Sequence, residues 1–76
     1  MKLYLGGHLN FYHPQKEKWL EININQPIPL IEILGEAGIP LSEINLIAVN
    51  DEMVELKDAI ISNKDEVKIF SAVGGG

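Results

Sequence analysis

Residues 19–25, Trp-Leu-Glu-Ile-Asn-Ile-Asn, alternate apolar with polar, and the next apolar group, residues 30–37, repeats at helical spacing; this one switch of period constrains the chain most. Leu20, Ile22 and Ile24 share one face and Glu21, Asn23 and Asn25 the other, the pattern of a half-buried strand. Pro29 suits a first helical turn, where its missing N–H costs nothing. Leu30, Ile31, Ile33, Leu34 and Ala37 then form an apolar stripe opposite Glu32 and Glu36. Gly38 fits the left-handed position beyond a helix end and Pro40 prevents continuation, so the spacing predicts one helix over 29–37. Gly35 inside it costs about 1 kcal/mol relative to Ala.

Strands are expected on both sides of this helix. Leu3 and Leu5 flank Tyr4 in a first strand over 2–5, and the polar segment 8–18, with Pro14 inside, reads as a long hairpin connection. A turn of helix over 41–45 is expected with Ser42 as its cap. The apolar run Leu46-Ile47-Ala48-Val49 reads as a central strand buried on both faces, and residues 53–56 as a short returning strand after the turn Asn50-Asp51-Glu52. Asn63 is a candidate for positive φ in a second turn, and residues 67–73 form the last strand. A single helix across one face of a small mixed sheet solves the burial problem for this order, with the first and last strands parallel neighbours. The expected class is α+β, a β-grasp (ubiquitin-like) arrangement of one main helix on a four- to five-stranded mixed sheet, with a domain over 1–73 and a flexible glycine tail over 74–76.

With 76 residues, the chain has room for one domain and buries about 60% of its unfolded surface, leaving little space for a deep cleft. It has no Cys, hence no disulfide, thiolate metal site or nucleophilic thiol, which suits a reducing cytoplasm. No apolar run approaches the roughly 20 residues of a membrane span, and no signal-peptide core is present at the start. A net charge of -5 disfavours nucleic acid and anionic membranes and favours a partner with a basic docking surface.

Three consecutive glycines, Gly74, Gly75 and Gly76, have no core-packing purpose. A slim, extended arm ending in a carboxylate fits a chemistry in which that carboxylate becomes a mixed anhydride with AMP. A sulfur nucleophile then displaces AMP and leaves a thiocarboxylate. The stretch 48–54, with Val49-Asn50-Asp51, and the stretch 65–76, with Asp65-Glu66-Val67 and Phe70-Ser71-Ala72-Val73-Gly74-Gly75-Gly76, resemble the ubiquitin-like sulfur-carrier family. That family includes the small subunit of molybdopterin synthase and the thiamine-biosynthesis sulfur carrier. The segment Leu5-Gly6-Gly7-His8-Leu9-Asn10 resembles the molybdopterin branch, and the likeness covers essentially the whole chain. Ser71-Ala72 departs from it, standing where that branch often has two prolines, and Lys64 stands where a turn glycine is common.

The resemblance implies that Gly76 carries the acyl-adenylate and then the thiocarboxylate, with Gly75 and Gly74 threading the tail into a partner. It implies a protein co-substrate with no bound cofactor, the ATP being used by an adenylating, ubiquitin-activating-like enzyme. The other expected partners are a sulfurtransferase and an acceptor, either the large subunit of molybdopterin synthase or thiazole synthase. A protein modifier linked to lysine and a plain binding module are the competing classes.

In the last strand alternation sets Val67, Ile69, Ser71 and Val73 on one face and Lys68, Phe70 and Ala72 on the other. Phe70 is thus a candidate docking anchor, with Val73, Ala72 and Lys68 beside it; the alternative is a secondary cluster with Tyr4. Phe11, Tyr12 and Trp19 are expected to close the core edge, and His8 and His13 to be solvated loop residues rather than metal ligands. Asp51, Glu52, Asp65 and Glu66 are expected in solvated acidic turns, and no catalytic set can be assembled from the sequence.

Overall fold

The computed structural model describes residues 1–72. In chain order its elements are β1 (Lys2–Gly6), a 3-10 turn (Leu9–Tyr12), β2 (Trp19–Glu21), β3 (Ile28–Pro29), α1 (Leu30–Ala37), a 3-10 turn (Leu41–Glu43), β4 (Ile44–Val49), β5 (Glu52–Met53), a 3-10 turn (Leu56–Asp58), β6 (Ile60–Ile61) and β7 (Glu66–Ser71). A five-stranded sheet runs β2-β1-β7-β4-β5. Its central pair, β1 and β7, is parallel, with Leu3 opposite Val67 and Leu5 opposite Ile69. The remaining pairs in that sheet are antiparallel. One helix on a five-stranded mixed sheet is the expected β-grasp arrangement.

The helix starts and stops for identifiable reasons. Pro29 occupies the N-cap position with extended backbone and offers no side-chain cap. The first orphan donor is satisfied from elsewhere, because the Leu30 N–H donates to the Ala59 carbonyl at 2.9 Å. Antiparallel pairing of β3 with β6, Ile28 opposite Ile61, brings that carbonyl into place. This small second sheet has no sequence signature beyond the dipeptides Ile28-Pro29 and Ile60-Ile61. At the other end Gly38 takes φ 77°, and the Gly38 and Ile39 N–H groups bond the Gly35 and Leu34 carbonyls at 3.2 and 3.0 Å. That is a Schellman stop, and the buried Ile39 supplies its apolar contact.

The core lies between α1 and the inner face of the sheet. Leu3, Leu5, Leu30, Leu34, Ile61, Val67 and Ile69 are fully buried there, each contributing about 1.5–3 kcal/mol. Leu9 joins them with no exposed surface, and Asn10 is buried too, its Nδ2 donating to the Lys16 carbonyl at 3.1 Å. The 8–18 connection is therefore partly a lid on the core rather than a polar excursion.

Several expected details differ. β2 ends at Glu21 because its partner strand runs out: Glu21 pairs with Lys2, Ile22 donates to the Met1 carbonyl, and Ile24 turns instead to the Asn63 side chain at 3.0 Å. β4 is not buried on both faces; Ile47 is buried, while Asn45 is exposed and Leu46 and Ala48 are half-buried, because among the described residues no layer covers the outer face. The returning strand is only Glu52–Met53. Ser42 caps nothing; Pro40 holds the position before the short turn. Positive φ falls at Asn50 and Asp51, the two central residues of a tight β4–β5 hairpin as a type I′ turn requires, and not at Asn63. Asp65 is not simply solvated: it accepts from Asn50 Nδ2 at 2.8 Å and from the Ser62 N–H at 2.7 Å, joining the two turns.

Candidate functional site

Two adjoining features define the site: the outer face of the sheet and the end of β7, from which the chain continues toward the glycines. Because β7 lies between β1 and β4, both of its edges are hydrogen-bonded and its last residues start from a fixed base. Ser71 is fixed further, its Oγ accepting the His8 N–H at 3.1 Å. Ala72 is exposed at this end. Val73, Gly74, Gly75 and Gly76 lie outside the described residues.

Alternation along each strand gives the outer face its character. Tyr4 sits between Trp19 and Phe70, with ring centroids 4.9 and 5.9 Å away and interplanar angles of 53° and 56°. These tilted pairs suit aromatic quadrupoles and are each worth about 0.5–1.5 kcal/mol beyond burial. Phe70 pairs with Gly6 in β1 and with Leu46 in β4, and Ala48 pairs with Met53 in β5. An apolar band thus crosses all five strands. Gly6 is what lets it close up: a Cβ there would meet Phe70 Cδ1 at 2.4 Å and the Ile69 carbonyl oxygen at 3.0 Å.

Phe70 is half-buried and does cluster with Tyr4, the alternative weighed against a docking role. The band around it stays open to solvent, with Trp19 45% and Met53 65% exposed. Lys68 shares this face and lies within 3.8 Å of Asp51 and 3.9 Å of Glu66, partly solvated pairs that stabilise little.

The expectation that Phe11, Tyr12 and Trp19 close the core edge is overturned; all three are exposed. Trp19 falls in the outward phase of β2, and Phe11 and Tyr12 leave the core to Leu9 and Asn10 on the same 3-10 turn. Tyr12 donates its hydroxyl to Glu43 Oε1 at 3.0 Å, and this bond to the carboxylate, with slight desolvation and the negative charge, raises the phenol pKa. His8 is exposed and stacks on Phe11 with centroids 6.2 Å apart, while the His13 ring accepts the Gln15 N–H at 3.3 Å. Among the described residues, no group of three or more His, Cys, Asp and Glu is placed to hold a metal. Sequence reasoning named Phe70, Lys68 and Tyr4 but missed Gly6, Trp19, Leu46 and Met53 on the same face. Strand phase could have supplied Trp19, since it alternates with the inward Leu20.

A β-grasp body with an aromatic outer face, leading from its central strand into a glycine terminus, is the form of a small ubiquitin-like carrier. The chain belongs to the ThiS family, whose family model matches residues 9–76 and so spans the body from the first 3-10 turn through Gly76. Membership gives it a general role as a sulfur carrier that interacts with an adenylating enzyme and with synthase partners. No match is found among curated proteins. Among the described residues, no helix is long and apolar enough to cross a membrane.

Proposed function

We propose that this chain carries sulfur for molybdopterin synthesis in the cytoplasm, with Gly76 as the terminal residue that is adenylated and then converted to a thiocarboxylate. The observation that carries this reading is the family match running through the glycines to Gly76. Glycine suits each tail position because a backbone without Cβ passes a narrow channel. The Gly76 carboxylate attacks the α-phosphorus of ATP in the activating enzyme and releases pyrophosphate, and sulfide-level sulfur supplied through a sulfurtransferase then displaces AMP to leave the thiocarboxylate. The chain binds no cofactor and has no catalysis of its own; it is the non-catalytic small subunit of a synthase, its tail of residues 74–76 inserted in the large subunit.

Docking falls to the outer face, where Phe70 and Lys68 join Ala72 and Val73 at the base of the tail. Large aromatic groups in a partly desolvated patch are the usual anchors of an interface. The molybdopterin branch is favoured because the segment that resembles it lies against the end of β7, through the His8–Ser71 bond. A second reading, sulfur delivery to thiazole synthase in thiamine synthesis, is favoured by Ser71-Ala72 in place of two prolines.

The test is intact mass after incubation with ATP, an adenylating enzyme and a sulfur source, followed by presentation to each acceptor. The expected result is replacement of one oxygen by sulfur, lost on deletion of Gly75 and Gly76, and transfer to the molybdopterin synthase large subunit. Failure of every activating enzyme to form an adenylate or thiocarboxylate defeats the reading. Lysine conjugates dependent on Gly76 would make the chain a protein modifier instead.

A further inference from the structure

We propose that the groove between β2 and α1 is a second docking surface, independent of the tail, which takes an extended segment of a partner protein with alternate apolar residues and lysine or arginine flanks. The groove is open and encloses about 820 Å³. Its floor is apolar: Leu20, Ile22, Ile24 and Ile28 from the strand side, Ile33 and Ala37 from the helix. All but Ile33 keep some surface in water, so an occupant would remove apolar area that the fold leaves uncovered.

The backbone beside it is unused. β2 is the edge strand of the sheet. The Lys18 carbonyl accepts from Leu5 at 2.7 Å and the Ile22 N–H donates to Met1 at 2.9 Å, so alternate residues 18, 20 and 22 turn their backbone to β1. In an antiparallel ladder the residues between them, Trp19 and Glu21, then direct their N–H and C=O groups to the open side. An extended segment pairs with such an edge, and its side chains alternate between the two faces. One set would drop over Leu20 and Ile33, and the other would lie beside the exposed Trp19 ring.

Charge selects the flanks. Glu17, Glu21 and Glu36 line the groove, all exposed, and no lysine or arginine lines it; Lys16 and Lys18, in the same stretch of chain, do not. A segment with acidic flanks would be repelled there and by the net charge of -5. The groove's apolar floor belongs to the inward phase of β2, with Glu21 at its rim, whereas the aromatic band belongs to the outward phase, so the two apolar surfaces lie on different faces.

The test is amide NMR titration of the nitrogen-15-labelled chain with the peptide Lys-Lys-Val-Ile-Val-Ile-Val-Lys-Lys, against a control carrying glutamates in place of its lysines. Shifts are expected over residues 19–24 and at Ile33, Glu36 and Ala37, with slowed exchange of the Trp19 and Glu21 amides. The control should bind at least tenfold more weakly. Glu36→Lys, on the exposed helix surface, should weaken binding about threefold to tenfold at low salt. Glu21→Pro removes an outward N–H that an edge strand can spare, and should abolish binding. Deletion of Gly75 and Gly76 should leave the affinity unchanged, which separates this surface from the carrier tail; loss of binding there would overturn its independence. Equal binding of both peptides, no shifts at millimolar peptide, or shifts centred on Phe70, Leu46 and Met53 would overturn the proposal.

Discussion

Gly6→Ala tests how the outer face is assembled. Gly6 is buried, and its φ lies outside the left-handed range, so its backbone accepts any residue. Taken alone, the change should stabilise by about 0.4–1 kcal/mol through the unfolded chain. The structure opposes it: the new Cβ would stand 2.4 and 2.8 Å from two atoms of the Phe70 ring and 3.0 Å from the Ile69 carbonyl oxygen. Real carbon contacts do not fall below 3 Å, so the ring must swing away from Gly6 and loosen from Tyr4. Overpacking of this kind costs about 1–3 kcal/mol, including the lost aromatic pair. The net expectation is destabilisation by about 0.5–2 kcal/mol. Urea unfolding followed by Trp19 fluorescence measures it, since Trp19 is the only tryptophan and packs on Tyr4. In a Phe70→Ala background the penalty should largely vanish, leaving only the closeness of the carbonyl. If Gly6→Ala stabilises the wild-type chain, or if its effect is the same with and without Phe70, the ring does not rest on Gly6 and the account of the band fails. If the band docks the activating enzyme, Gly6→Ala should also raise the KM for the carrier in adenylation while leaving kcat nearly unchanged.

Gly35→Ala should raise stability by about 0.5–1 kcal/mol, because its Cβ would meet nothing within 4 Å, and thermal unfolding should show a Tm gain of about 2–8 °C. Asn50→Ala loses the bonds from Asn50 Nδ2 to Asp65 and from the Glu66 N–H to Asn50 Oδ1, and puts alanine at φ 50°. It should cost about 1–3 kcal/mol by urea titration, with Asn50→Gly less damaging because it keeps the turn geometry. Tyr12 should ionise above the ordinary tyrosine range, and Glu43→Ala should bring its ultraviolet titration back down. Since the folded-state pKa is the raised one, the stability contributed by the Tyr12–Glu43 bond is present below the unfolded-state pKa and is lost as pH rises through the folded-state value.

Local pattern was enough for the helix and its C-terminal stop, since the apolar stripe and Gly38 each act within a few residues of themselves; its start was not, because Pro29 stays extended and the cap comes from Ala59. Alternation likewise gave the inward phases of β1, β2 and β7, and the glycine terminus was legible from composition alone. The parallel pairing of β1 with β7 followed from the order of elements and from where one helix could lie. The band around Phe70 was only half legible: the phase of β7 pointed Phe70 outward, but its neighbours come from four other strands. Tyr4 was foreseen beside it, but only the sheet order and register bring Trp19, Leu46 and Met53 there, and only the close contact at Gly6 shows why that strand position holds a glycine. The same holds for Leu9, whose burial depends on a loop folding back over the sheet end, and for the β3–β6 pair, whose Ala59 carbonyl supplies the cap that Pro29 cannot. Sequence determined what each segment would form, because propensity and period are local. Tertiary structure decided which faces meet and which stay open, because those contacts join residues far apart in the chain and exist only once the sheet is assembled.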